Sequence, residues 1–251
     1  MKNIIFYFLL IISLLLIWHF ATFDNTHLKL LISNPFDSFK YFLNECDNIL
    51  IATAYTGLES VLGFLIAVIT SFVLVIICLY NYKLFELILP LMIVSQVIPI
   101  ITLAPLFIIL LDIGLKSKVA MAALMCFFPI FVNMASGVNS VEKNYLNLFS
   151  IYNSSKTKKI FHLLFPLATP YIFSGLKISS TLAVIGAIVA EFNGAELGLG
   201  KNLFLSAKRL EAELMINSIF FSCILGASFY LMIYSFERRI GKWYIKDQKH
   251  N

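Results

Sequence analysis

Residues 49–80 run ILIATAYTGLESVLGFLIAVITSFVLVIICLY, thirty-two residues in which Glu59 is the only charge. A helix rises 1.5 Å per residue, so about 20 apolar residues cross the roughly 30 Å of a bilayer's hydrocarbon core. This stretch is long enough to do so with turns to spare. Working outward with a window of about 19 residues, five more apolar runs emerge, at 4–23, 87–111, 119–138, 167–190 and 214–236. The reading is an all-α membrane protein with six transmembrane helices. Composition agrees, since 60% of the residues are hydrophobic and 13% charged, with a mean hydropathy of +0.88. A soluble domain carries about a quarter charged residues, and a chain of this length buries only one modest core. The first run follows Lys2 as a signal sequence would, but it is too long and no small-x-small cleavage site precedes Asp24.

Orientation follows from the basic residues. With the N-terminus inside, the inner loops and ends hold Lys2, Lys83, Lys143, Lys156, Lys158, Lys159, Lys177, Arg238, Arg239, Lys242, Lys246 and Lys249. Lys29, Lys40, Lys116, Lys118, Lys201, Lys208 and Arg209 fall outside, so twelve stand against seven and both termini are expected in the cytoplasm. The net charge of +5 is thus a topology signal, and no basic stripe on a polar domain points to nucleic acid.

Residues 1–48 read as an N-terminal span with an outer loop at 24–48, residues 49–240 as the core, and 241–251 as a cytoplasmic tail. The inner segment 139–166 mixes Tyr145, Leu146, Leu148, Phe149, Ile151, Tyr152, Ile160 and Phe161 with Lys156, Lys158 and Lys159. That pattern fits an amphipathic cytoplasmic helical hairpin whose apolar face needs a partner or the floor of the bundle, or else a helix lying on the headgroups.

Catalytic and metal motifs are lacking. Gly198-Leu199-Gly200-Lys201-Asn202 has neither the spacing nor the hydroxyl residue of a nucleotide-binding loop, and neither G-x-S-x-G nor H-E-x-x-H occurs. Cys46, Cys78, Cys126 and Cys223 make no C-x-x-C pair, and His19, His27, His162 and His250 make no ligand-spaced pair. The chain is therefore expected to hydrolyse nothing and to hold no metal.

Polar residues within apolar runs carry the remaining information, because each costs free energy in lipid unless it meets a partner or a watery cavity. Glu59, Gln96, Asn133 and Glu191 are the candidates, with Glu59 the costliest. Gln96 and Asn133 suit interhelical hydrogen bonding as well as pathway lining. Glu191 is expected at the outer end of its span, where a carboxylate is cheap, and Lys177 near an inner end, from which it can snorkel. Pro90, Pro99 and Pro105 disfavour a straight helix over 87–111. Broken backbone at membrane depth is tolerated where it lies against protein or lines a cavity, which favours a transport pathway.

From Asn48 onward the chain resembles the inner-membrane permeases of the nitrate, sulfonate and taurine group of ATP-binding-cassette (ABC) importers. The group's cytoplasmic pattern E-A-A-x3-G-x9-I-x-L-P is matched in spacing by Asn147-Leu148-Phe149, Asn153 and Leu163-Leu164-Phe165-Pro166. Asn is a mild replacement for the Gly, since it also enters the left-handed region at a turn. Further blocks occur in the family's order: Ser95-Gln96-Val97-Ile98-Pro99, Leu103-Ala104-Pro105-Leu106, Phe127-Phe128-Pro129-Ile130 with Asn133, Pro170 through Lys177, Gly198-Leu199-Gly200 and Phe236-Glu237-Arg238-Arg239.

The resemblance implies a type I ABC importer permease bundle that works as a homodimer in the bacterial inner membrane. Two cytoplasmic ATPase subunits would use ATP and magnesium, and an extracytoplasmic binding protein would deliver the solute. It implies that the ATPase docks on a coupling hairpin comprising Asn147, Leu148, Phe149, Tyr152, Asn153, Ser154, Ser155, Lys156 and Pro166; the polar residues within spans and the proline-broken run make Glu59, Gln96, Pro99, Asn133 and Glu191 the candidates to line the pathway. Glu59 ahead of Val61-Leu62-Gly63-Phe64 looks more like permeases for thiamine pyrimidine precursors than like those for sulfonate, taurine or nitrate, the alternative solutes. An ion-coupled secondary transporter and a non-transporting scaffold are the competing classes.

Overall fold

The computed structural model describes residues 33–152 and 154–241, together with Ser13, residues 16–20 and Thr22. From residue 33 onward the described residues form the helices α1 (Pro35–Tyr80), α2 (Tyr82–Ser95), α3 (Ala104–Leu111), α4 (Leu115–Asn139), α5 (Lys143–Ile151), α6 (Lys156–Glu191), α7 (Leu199–Arg209) and α8 (Ala212–Ile240). Four of them, α1, α4, α6 and α8, are long and apolar enough to cross a membrane, and α2 with α3 makes a fifth if the bent pair is one span. The expected sixth, 4–23, lies mostly outside the described residues, as does Asn153 of the hairpin.

Helix α1 begins earlier than its apolar run. Asn34 caps it by accepting a hydrogen bond from the Asp37 N–H at 2.8 Å, Pro35 stands in the first turn, and Asp37 adds a carboxylate there. The segment 24–48, read as an outer loop, is therefore helical from Pro35. A hydropathy window misses such polar start signals. The helix bends at Glu45 (φ −114°, ψ 20°) and then continues through the expected span to Tyr80.

The run 87–111 is a bent pair of helices rather than one straight helix. Helix α2 stops at Ser95, and α3 leaves at 92° to it. Pro99 precedes a single tight turn, Ile100–Leu103, and Pro105 sits in the first turn of α3, so the corner falls where backbone donors are missing.

The core is built where α4 packs along α6 and α1. Ala122 of α4 marks the closest approach: a Cβ at Gly63 of α1 would lie 2.5 Å from the Ala122 Cβ, and one at Gly186 of α6 would lie 2.8 Å from the Ala122 Cα. Small residues here let three backbones meet, the usual route to tight packing among apolar helices. Polar groups fasten the same seam. Ser179 Oγ donates to the Cys126 carbonyl and Cys126 Sγ to the Ser179 carbonyl, both at 3.1 Å, while Ser71 Oγ donates to the Phe127 carbonyl at 3.1 Å. Phe131, Ile130 and Met134 fill the centre. Helix α8 leaves Phe220, Leu231 and Phe236 exposed, an apolar outer face suited to lipid.

Candidate functional site

The structure gathers two buried acids, Glu59 and Glu191, at the end of the bundle where α7 begins. Glu191 closes α6 and is 1% exposed, so it is not the inexpensive surface carboxylate expected from its position in sequence. Its burial is explained by its partners. Thr56 Oγ1 of α1 donates to Glu191 Oε1 at 2.6 Å, and the Gly200 N–H donates to Glu191 Oε2 at 2.5 Å. Thr56 Oγ1 in turn accepts the Leu199 N–H at 2.9 Å.

These contacts solve a local problem. The first N–H groups of a helix have no partner inside it, and Gly198, the capping position of α7, has no side chain to serve them. Thr56 and Glu191 supply the acceptors from two other helices, and the carboxylate faces the positive end of the helix dipole. Gly198 adopts φ +132°, which side chains rarely tolerate, and a Cβ there would overlap the Glu191 carboxyl group.

One turn further along α1, Glu59 is also 1% exposed. Lys118 Nζ of α4 lies 3.4 Å from its Oε1, whereas its Oε2 is buried with no donor. Both residues line a 260 Å³ pocket with Tyr55, Leu58, Glu196 and Leu197. Sequence reading placed Lys118 among the outer loop lysines and so missed it as the counter-charge of Glu59. The available signal was its odd position, since a cation in the first turn of a helix opposes the dipole.

The other polar candidates stand apart from this pair. Gln96 and Pro99 are exposed at the α2–α3 corner. Asn133 is half-buried, and its Nδ2 donates at 2.8 Å to the Pro129 carbonyl of its own helix, so that bond is not the interhelical one considered from the sequence.

At the opposite end of the bundle lie α5 and the start of α6, the two helical pieces of the segment read as a hairpin. Leu146, Phe149, Ile160, Leu163 and Leu164 turn toward the bundle and are at least half-buried, with Leu146, Ile160 and Leu164 joining its main core. Outside, Tyr145, Leu148, Ile151 (81% exposed) and Tyr152 (77%) are left uncovered. Asn147, Ser155 and Lys156 are exposed as well, while Ser154 and Pro166 are half-buried. Ser155 Oγ caps α6 by accepting from the Lys158 N–H at 3.4 Å. Lys156 Nζ donates to the Tyr80 carbonyl at 3.3 Å, and the Tyr80 and Thr157 hydroxyls meet at 2.7 Å, which fixes the hairpin to the end of α1. A π turn, Ile160–Leu164, joins it to the rest of α6. Nearby, Lys177 pairs with Glu237 of α8 at 2.7 Å.

Comparison with known proteins bears on this arrangement directly. The family described as binding-protein-dependent transport system inner membrane component matches residues 60–242. The chain is 31% identical over 182 residues to a formylaminopyrimidine transport permease protein of Halalkalibacterium halodurans, covering 72% of this chain and 73% of that one. It is 29% identical over 154 residues to a riboflavin transport system permease protein of Chloroflexus aurantiacus, covering 61% and 58% of the two chains. It is 30% identical over 111 residues to a nitrate import permease protein of a Synechocystis strain, covering 44% and 40%. The resemblance read from the cytoplasmic pattern and the ordered blocks therefore holds, and the long apolar helices are those of a multi-pass membrane protein. The chain belongs to the family of binding-protein-dependent transport system inner membrane components.

Proposed function

We propose that this chain is the permease subunit of an ABC importer that carries a small, uncharged heteroaromatic solute, a pyrimidine or a related ring, into the cytoplasm by alternating access. The observation that carries the reading is the uncovered hairpin in a chain of this family. Tyr145, Leu148, Ile151 and Tyr152 form an apolar patch beside exposed Lys156 and Lys158, on an element tied to α1 and α6. An ATPase docked there would move both core helices. For ATP to bias the transporter, that contact must differ in free energy between its outward-open and inward-open forms. Both termini and the hairpin are assigned to the cytoplasmic side by the excess of basic residues there. The solute class rests on the similarity to the formylaminopyrimidine and riboflavin permeases and on the acids near the opposite end.

The α2–α3 corner supports a dimer. Helix α2 has 14 residues and so reaches about 21 Å, short of the roughly 30 Å of hydrocarbon. The corner after it therefore lies at membrane depth, with Gln96 and Pro99 exposed and Val97 80% exposed. Irregular backbone does not face lipid at that depth; it is covered by protein or lines water. A second copy of the chain, with the solute path between the two corners, meets both conditions and gives Gln96 and Pro99 their role. Asn133 belongs to the path of each subunit in this reading. Copurification with the partner ATPase and solute-dependent ATP turnover tests the assignment. Oxidative cross-linking of Gln96→Cys to a second copy is expected, and a monomer under those conditions would count against the dimer.

A further inference from the structure

We infer that the groove along α1 from Ile69 to Ile77, with the lysines gathered around Tyr80 at its end, is a binding site for one anionic phospholipid of the cytoplasmic leaflet. The choice of leaflet rests on the orientation proposed above. Ile69, Val73 and Ile77 stand one turn apart on α1, 62%, 51% and 48% exposed, and with Thr70, Leu74 and Phe127 of α4 they wall a 370 Å³ groove. The Thr70 hydroxyl donates to the Ile66 carbonyl at 2.8 Å, so these side chains offer a ligand no free donor and suit an alkyl chain. Tyr80 continues the same stripe three residues beyond Ile77. From Ile69 to Tyr80 the helix rises about 16 Å, half of the roughly 30 Å of hydrocarbon in a bilayer. With Tyr80 at the interface, where tyrosine is favoured, the groove spans one leaflet and matches an acyl chain in length.

The end of the groove supplies partners for a headgroup. Lys83, three residues beyond Tyr80, is exposed, as are Lys156 and Lys158 at the start of α6, with Lys159 half-buried beside them. Hydrogen bonds bring the start of α6 to the groove: Lys156 Nζ donates to the Tyr80 carbonyl at 3.3 Å, and the Tyr80 and Thr157 hydroxyls meet at 2.7 Å. Deeper in the bundle, Phe165 of α6 stacks on Phe72 of α1 with ring centres 5.8 Å apart, which keeps α6 alongside. Among the described residues no carboxylate pairs with any of these four lysines. A lipid phosphate answers that pattern, because a basic cluster at the cytoplasmic end of a spanning helix attracts anionic headgroups. Lys156 keeps two N–H groups for it, and only one of the two hydroxyl protons of Tyr80 and Thr157 lies between them. A second copy of the chain set on this face by two-fold symmetry would bring its own lysines to the same end, which their charges oppose. A lipid held here bridges α1 and α6 at the point where the hairpin segment is tied to the bundle.

Native mass spectrometry of the full-length chain, titrated in detergent with dioleoylphosphatidylglycerol or dioleoylphosphatidylcholine, counts bound lipids and subunits together. One phosphatidylglycerol is expected per chain, bound about tenfold or more tightly than phosphatidylcholine, the scale of a few lysines at a charged surface. Lys83→Gln combined with Lys158→Gln should remove most of that preference, and Val73→Trp, which fills the groove, should weaken both lipids alike. All three positions are exposed, and thermal unfolding verifies that the variants fold; should Val73→Trp fail to fold, the lysine pair decides. Equal binding of the two lipids by the parental chain, a preference that survives loss of both lysines, or undiminished phosphatidylglycerol binding by folded Val73→Trp would each overturn the inference. So would conversion of a dimer to a monomer by Val73→Trp, which would make the groove a subunit interface. Copurification of the parental chain with its ATPase separates the cases. If the ATPase is retained and the lipid preference is absent, the lipid site alone has failed; if no ATPase associates, the importer reading fails, whatever the lipid spectra show.

Discussion

Thr56 Oγ1 donates to Glu191 Oε1 across 2.6 Å, joining α1 to α6 at the point where α7 starts. Because Thr56 also accepts the Leu199 N–H, one hydroxyl holds three helices together. Thr56→Val keeps the shape but strands a buried N–H, for an expected loss of about 1–3 kcal/mol. Glu191→Ala removes two bonds to a carboxylate and should cost more, and Gly198→Ala should fail through strain at φ +132°. Thermal unfolding in detergent measures all three. Melting at the parental temperature for Thr56→Val and Glu191→Ala would show that the cap contributes nothing.

At the other end, Lys177 and Glu237 pair at 2.7 Å, with side chains 21% and 10% exposed. Either single replacement, Lys177→Met or Glu237→Gln, should destabilise by removing the opposite charge from a sheltered group. A double-mutant cycle is expected to return a coupling of about 0.5–3 kcal/mol. Additive losses would mean that the two side chains act independently.

Topology is open to direct labelling. In a background free of Cys46, Cys78, Cys126 and Cys223, a cysteine at exposed Ser155 should react only from the cytoplasmic side, and one at Asn34 only from outside. The basis is the twelve-to-seven division of Lys and Arg. Reaction in the opposite sense at either position would invert the assignment.

Docking of the ATPase should depend on the two most exposed apolar residues of the hairpin. Ile151→Asp puts a charge at the centre of the patch, and loss of a buried anchor at an interface costs about 2 kcal/mol or more, roughly 30-fold in affinity. The expected outcome is a folded, inserted permease that no longer copurifies with ATPase. Copurification at parental yield would move the docking surface elsewhere.

Much of this was legible in the sequence because the bilayer imposes a length on each apolar run. The cores of α1, α4, α6 and α8 follow that rule, and Pro99 and Pro105 announced the break between α2 and α3. The two-faced character of α5 and the start of α6 was legible from mixed apolar and basic residues. What hydropathy does not encode is which polar residues meet. Glu191 looked like a surface acid because its partners, Thr56 and Gly200, come from a helix far away in sequence and from a backbone amide. Lys118 looked like a loop cation because a topology count records its side of the membrane and not its neighbour, Glu59. The helical start at Pro35 was hidden by the polar residues that cap it.

Uptake of labelled solute into proteoliposomes containing this chain, its ATPase and its binding protein tests the central claim most directly. Uptake should require all three components and ATP on the side of the membrane that carries the ATPase, and it should vanish with Ile151→Asp while the protein remains inserted. Uptake that persists without the ATPase, driven by a sodium or proton gradient, would contradict the account.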